Sequence, residues 1–346
     1  AINDANTESS DTNTPLWELP SIDFSGVIPI GETNFDFDWN ADYVDYWRED
    51  GIGGHRFDLH PTIAAPVPLG AYLESRAQVG LRDTFYIVQT YGDAEWNESD
   101  TQNRLIPDFE ADLATTLERD FFTNGGATKR FSHQIRPFIQ YNYIPDVDQD
   151  DLPYFDSVDD IGEQNRISYG IDNFFDIFNT GADNKEDSRD FGEFKIEQSY
   201  DLRSSASDEP FSEILAKVRL YPLEKMSLWY KTYYDVYDNL FTSHNIEAAY
   251  TNSRGDYFMV EYSFKDAEDI EQINAILRSH IFGPWFVGAE VEQSISEDET
   301  VKANGSLIYQ APCWSVEFAT NYTPFDTTYY LMFNLANIGI PIGISM

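Results

Sequence analysis

Only one cysteine occurs in the sequence, Cys313, so no disulfide can form within the chain, although a bridge to a segment or partner outside it stays open. No run of about 18 apolar residues occurs, which excludes a transmembrane helix. The first residues, Ala1 to Thr14, lack the basic and apolar parts of a signal peptide. Basic residues are scarce: 22 Lys plus Arg stand against 61 Asp plus Glu, a formal net charge of -39, and nucleic acid is a poor partner for so acidic a surface. No Pro/Gly/Ser linker divides the chain into domains.

Chemistry-bearing motifs are missing too. There is no Gly-rich phosphate loop and no nucleophile elbow. The histidines (His55, His60, His133, His244, His280) are scattered singly, with no spacing that places two on one metal. No catalytic residue, metal site or cofactor is therefore expected, and the chain is not read as an enzyme. Asp146, Asp148, Asp150 and Asp151 resemble the start of a calcium loop, but Asp151 stands where the turn requires Gly and Ser157 where a bidentate Glu belongs. The reading is an ordinary solvated acidic loop, with loose divalent-cation binding by the acidic loops left open.

What the chain does have is aromatic residues, 16% of the total, and high charge combined with so many aromatics argues against disorder. Residues 1–15, rich in Asn, Asp, Ser and Thr, read as a flexible polar segment. From residue 16 to 346 the apolar residues fall at period two. Phe35, Phe37, Trp39, Ala41 and Tyr43 form one face; Phe131, Ile135, Pro137, Ile139, Tyr141 and Tyr143 form another; Phe109, Ala111 and Leu113 alternate with Asp108, Glu110 and Asp112. The pattern gives about 17 strands of about 9 to 14 residues, the length needed to cross a bilayer at a tilt. Long acidic connections (Asp146 to Asp160, Asn179 to Asp190) alternate with short ones (Tyr221 to Lys225, Thr251 to Asp256), and Trp229, Tyr230, Tyr233 and Tyr234 are placed where a strand ends, as in an interfacial belt. The expected fold is all-β, a transmembrane antiparallel β-barrel.

The stretch Ile135-Arg136-Pro137 through Tyr141-Asn142-Tyr143-Ile144-Pro145, then Gln149, Leu152-Pro153, Phe155-Asp156-Ser157, Asn165-Arg166 and Gly170-Ile171-Asp172, resembles the barrel of the LptD family of LPS-assembly outer-membrane proteins. Tyr309-Gln310-Ala311-Pro312-Cys313-Trp314 is similar to that family's Tyr-x-x-Cys-Cys-Trp segment, with Pro312 in place of the first cysteine. The upstream segment from Leu19-Pro20 to Tyr86, with Arg56 and Pro61, is similar less specifically. The resemblance implies the outer membrane of a Gram-negative cell, lipopolysaccharide as the partner handled, a plug lipoprotein (LptE-like) in the lumen, and periplasmic bridge proteins met through an amino-terminal domain. It implies that sugars pass through the lumen while acyl chains leave through a lateral seam. It makes this chain the carboxyl-terminal portion of a larger barrel, without the amino-terminal periplasmic domain and first strands.

Three site expectations follow from the resemblance. Gln149, Leu152, Pro153, Phe155, Asp156 and Ser157 form a family-motif loop. Cys313 bridges to a cysteine outside this chain. Tyr329, Tyr330, Leu331, Met332, Phe333, Asn334 and Leu335 form the last strand and one side of the seam. Two other readings of the strand pattern stay open, an outer-membrane porin or specific channel and a secreted glycan-binding β-protein.

Overall fold

A computed structural model describes residues 3–4, 14–123, 128–180, 186–203, 209–335 and 342–345, and no helix occurs among them. The expected flexible segment 1–15 falls largely outside the described residues. The strands, in chain order, are β1 (Asn3–Asp4), β2 (Trp17–Pro29), β3 (Asp36–Trp47), β4 (Gly51–Pro66), β5 (Glu74–Tyr91), β6 (Thr101–Ala114) and β7 (Leu117–Phe122). They continue with β8 (Thr128–Ile144), β9 (Pro153–Tyr154), β10 (Gln164–Thr180), β11 (Glu186–Asp201), β12 (Ile214–Leu223), β13 (Met226–Asp235) and β14 (Leu240–Thr251). The last are β15 (Tyr257–Lys265), β16 (Ile270–Phe282), β17 (Trp285–Ser294), β18 (Glu299–Gln310), β19 (Trp314–Tyr322), β20 (Thr327–Leu335) and β21 (Ile342–Ser345). The chain forms two units, one of residues 1–116, 137–169 and 199–211, the other of residues 117–136, 170–198 and 212–346.

In the first unit β2 through β6 pair antiparallel in sequence order, and β6 then pairs with residues 138–143 of β8. The two-residue β1 lies parallel to β9. In the second unit β7 pairs with residues 130–135 of β8, and β11 through β21 pair each with the next. Beside Pro137 the partner strand of β8 is interrupted at Thr115 and Thr116: a proline has no N–H for the ladder, and Thr115 N donates to its carbonyl instead. With β6 and β7 taken as one interrupted strand and the short β1 and β9 set aside, eighteen strands remain among the described residues, an even number where the alternation pattern gives about 17.

Three expectations need correction. Tyr329–Leu335 is not the last strand, because β20 is paired on both sides, with β19 and with Ile342–Ser345. The supposed loop Asn179–Asp190 consists mainly of the ends of β10 and β11, with residues 181–185 outside the described residues. Trp229 and Tyr230 lie in the middle of β13, not at an end.

The two units bury apolar surface differently. The first has a small cluster of Val44, Tyr46, Ile52, Tyr86, Val88, Leu152 and Phe155. In the second, Met259 is the sole buried hydrophobic side chain among the described residues. Ile246, Phe258, Leu277, Val291, Leu307, Phe318 and Leu331 all stand on one face there, between 40% and 50% exposed. The residues between them, among them Glu247, Glu261, Asn274, Glu290 and Asn304, occupy the other face in register from strand to strand.

Close approach of β3, β4 and β5 depends on Gly54, which sits at φ +130° opposite Tyr46 and Val88. A Cβ there would lie 2.1 Å from the carbonyl oxygen of Ile87. Gly54→Ala is expected to lower stability by about 1–3 kcal/mol from backbone strain alone. An unchanged denaturation midpoint in detergent would contradict this.

Candidate functional site

Alternation along β4 sends Phe57 and Leu59 to one face and Arg56 and Asp58 to the other. Strand register then assembles a polar row, Asp42 opposite Asp58, Asp58 opposite Thr84 and Thr84 opposite Arg104. A parallel row places Val44, Arg56, Tyr86 and Gln102 side by side. Within the first row Thr84 Oγ1 donates to Asp58 Oδ1 at 2.7 Å and Arg104 Nη2 donates to Thr84 Oγ1 at 3.0 Å. This part of the polar face would expose two buried guanidiniums if nothing covered it.

The connection between β8 and β10, residues 145–163, covers it. Arg56 Nη1 donates to Asp156 Oδ1 at 2.6 Å and to both carboxylate oxygens of Asp159 at 3.1 and 3.2 Å. Its Nη2 reaches Asp156 Oδ2 at 2.9 Å and Asp42 Oδ1 at 3.3 Å. Arg104 holds the loop by its backbone, donating to the carbonyls of Val158 at 2.8 Å and Asp159 at 3.0 Å, and to Gln149 Oε1 at 2.8 Å. Tyr46 and Tyr86 donate their hydroxyls to Asp156 and Asp159 at 2.6 and 2.7 Å. Asp159, with no exposed side-chain surface, also accepts from the backbone N–H groups of Phe155 and Asp156. Arg56 and Arg104 thus hold Asp156 and Asp159 with every oxygen of those two carboxylates bonded, the condition under which burial of charge is tolerable.

Beside this polar lock the loop inserts apolar side chains. Leu152 and Phe155 enter the cluster with Val44, Ile52 and Val88, and the Phe155 ring stacks on Tyr46 with centroids 4.5 Å apart. Gln149 turns back to donate to the carbonyl of Ile161 at 2.8 Å, closing the loop on itself. Of the motif loop, Gln149, Leu152, Pro153, Phe155 and Asp156 are therefore brought together against β3–β6, while Ser157 is exposed.

The other expected positions lie elsewhere. Cys313 is exposed, with a free thiol, in the turn between β18 and β19. Among the described residues no three His, Cys, Asp or Glu side chains converge as metal ligands, and within the acidic stretch Asp148 accepts from the backbone N–H of Asp150. The sequence reading missed Asp159, Arg104, Tyr46 and Thr84. Their signal was available in part, since Asp58 falls between exposed Phe57 and Leu59, and Arg56 and Arg104 each precede an exposed apolar residue, Phe57 and Leu105.

Burial alone would push the Asp156 carboxyl up, but hydrogen bonds from Arg56 and Tyr46, with the Arg56 charge, outweigh it and hold the group below the usual aspartate range. A carboxyl depressed in the folded state stabilises that state fully above its unfolded value of about 3.9, and the contribution is lost as pH falls through the lower, folded value. The loop is therefore expected to resist protease from neutral pH down to about pH 4 and to become cleavable only below it. Cleavage that sets in near pH 6 would contradict the assignment.

The arrangement offers no free nucleophile or base; it fixes a loop. Comparisons with known proteins agree in direction. The family model described as LptD, LPS transport system D, matches residues 1–285. The LPS-assembly protein LptD of Nitrosococcus oceani is 23% identical over 324 residues, covering 87% of this chain and 43% of that protein. Its counterpart in Methylococcus capsulatus is 29% identical over 146 residues, covering 42% of this chain and 13% of that protein. The one in Nitrosomonas eutropha is 30% identical over 146 residues, covering 42% and 19%. The chain thus spans less than half the length of these relatives. Among solved structures the copper transporter OprC overlays 94% of this chain and 64% of its own at 10% identity, with a TM-score of 0.33 that carries no argument.

Proposed function

We propose, from the premise that this chain belongs to the LPS transport system D family, that it is part of the outer-membrane wall through which lipopolysaccharide reaches the outer leaflet. The observation that carries the reading is the second unit, whose apolar face stands exposed among the described residues and whose opposite face is lined with carboxylates and amides. Lipid satisfies the first face and a hydrated lumen the second.

The chemistry follows from the two faces. Sugars and phosphates keep their hydrogen bonds along the polar face. Acyl chains are excluded from it, since each CH₂ moved from water to lipid gains about 0.8 kcal/mol and a dozen of them gain on the order of 10 kcal/mol. They leave sideways through a seam, with β20 in the wall one strand in from Ile342–Ser345. A lipoprotein plug in the lumen and periplasmic proteins that hand over the lipid complete the system. In this reading Cys313, exposed at a turn, bridges to a cysteine outside this chain.

Photo-crosslinking residues at Glu261 and Asn274 on the polar face should capture lipopolysaccharide in living cells, and a lipoprotein should copurify with the protein. Capture of neither would overturn the proposal. Conductance of an open pore without a plug would favour a diffusion channel instead.

A further inference from the structure

We infer that the apolar outer face of β7, β8 and β10 carries a binding site for the phosphate group of a phospholipid in the periplasmic leaflet. All the residues concerned lie in the second unit, and alternation sets their positions. Leu117, Arg119 and Phe121 share one face of β7 and pair with Ile135, His133 and Phe131 of β8. Leu117 and Phe121 are exposed apolar side chains, as is Ile171 on β10. Arg119, itself exposed, is a charge set into this apolar face.

A polar row crosses the face at the level of Arg119. His133, opposite Arg119, donates from Nε2 to Asn173 Oδ1 at 3.0 Å, and Asn173 donates to the carbonyl of Phe194 at 3.4 Å. A row of rings runs beside it, Phe121, Phe131 and Phe175, with neighbouring centroids 6.4 and 5.9 Å apart. The His133 ring stacks on Phe175 at 4.5 Å, and the Arg119 guanidinium lies 5.1 Å from the Phe121 centroid. The nearest carboxylates in sequence belong to the opposite face and are engaged there: Asp120 accepts from Arg130 and Glu118 from Ser132, each at 3.0 Å. Among the described residues no carboxylate is within ion-pair distance of Arg119, in a chain of net charge -39.

Depth identifies the ligand. Arg119 precedes the end of β7 at Phe122 by three residues, about 8 Å along the bilayer normal for a strand tilted by about 40°. At that level rings form an interfacial belt, and a long side chain reaches the headgroups. An arginine on the lipid face costs about 2–4 kcal/mol at the midplane but only about 0–1 near the interface, and a phosphate offers the paired oxygens that a guanidinium binds side by side. Strand direction alternates from β7 to β12, so this end of β7 lies on the side of the two-residue turn at Glu224 and Lys225. Short turns are periplasmic in such barrels, which assigns the lipid to the periplasmic leaflet.

This inference rests on the reading of the exposed apolar face as the bilayer side. Its test uses the chain in detergent, native mass spectrometry and three probes: phosphatidylglycerol, a diacylglycerol with the same acyl chains, and inorganic phosphate. Phosphatidylglycerol should stay bound where the diacylglycerol is lost, and millimolar inorganic phosphate should not displace it. Arg119→Gln should weaken retention of phosphatidylglycerol by about tenfold or more, as expected for a lost charge-assisted hydrogen bond. Arg119→Lys, which keeps the charge without the planar fork, should fall between the two, whereas Lys265→Gln, which removes the same charge elsewhere, should change nothing. Equal retention by wild type and Arg119→Gln, no preference over the diacylglycerol, or displacement by inorganic phosphate would overturn the site. If that happens while crosslinkers at Glu261 still capture lipopolysaccharide, the phosphate site alone has failed and the membrane reading stands.

Discussion

Arg56→Ala will release the 145–163 connection from β3–β6 and cost about 3–5 kcal/mol of stability, the range for breaking a buried ion pair from one side. The size comes from what is left behind. Asp159 has no exposed side-chain surface and Asp156 is one-third exposed, so both carboxylates would lose the donor that compensates their desolvation. Arg56→Lys should not rescue, because one ammonium cannot present two nitrogens to two carboxylates and to Asp42 at once. Adding Asp159→Asn to Arg56→Ala should recover part of the loss, since it removes the uncompensated charge, and a double-mutant cycle should show strong coupling between the two sites. Chymotrypsin reads the outcome directly: Phe155 is buried in the folded chain and becomes a cleavage site once the loop leaves. A loop that stays protected in Arg56→Ala, with an unchanged melting temperature, would show that the apolar insertion alone holds it.

The same lock marks where sequence reading stops. Period-two alternation is local, so the strands through Phe109 and Ile139 could be read from their own residues. The break at Thr115 could not, because its cause, Pro137, lies on the partner strand. Acidic composition suggested a loop over Asn179–Asp190, yet a strand whose polar face meets water carries carboxylates as readily as a loop does. The motif pointed to Gln149 through Ser157 and stopped short of Asp159. Whether a carboxylate is buried is decided by what faces it, and Asp159 is faced by Arg56 and Arg104, 103 and 55 residues away in sequence. The row of Gly288, Ser306 and Ala319 on β17–β19 was equally hidden, since these residues adjoin only through register.

Phe318→Arg separates the bilayer reading from a soluble one by the sign of its effect. Phe318 lies in the middle of β19, half exposed on the apolar face, with Leu307 and Leu331 as its register neighbours. In a bilayer an arginine near mid-strand on that face costs about 2–4 kcal/mol, so the variant should unfold from lipid vesicles at a correspondingly lower denaturant concentration. In a soluble sheet the same change breaks up an exposed apolar patch, and stability should stay within about 0.5 kcal/mol. The adjacent Glu317 supplies the internal control, because alternation puts its charge on the polar face, and Glu317→Gln should be near neutral in lipid. A large loss at Phe318 with none at Glu317 means that one face meets hydrocarbon while the next residue meets water. Equal tolerance at both positions would remove the physical basis for placing this sheet in a membrane.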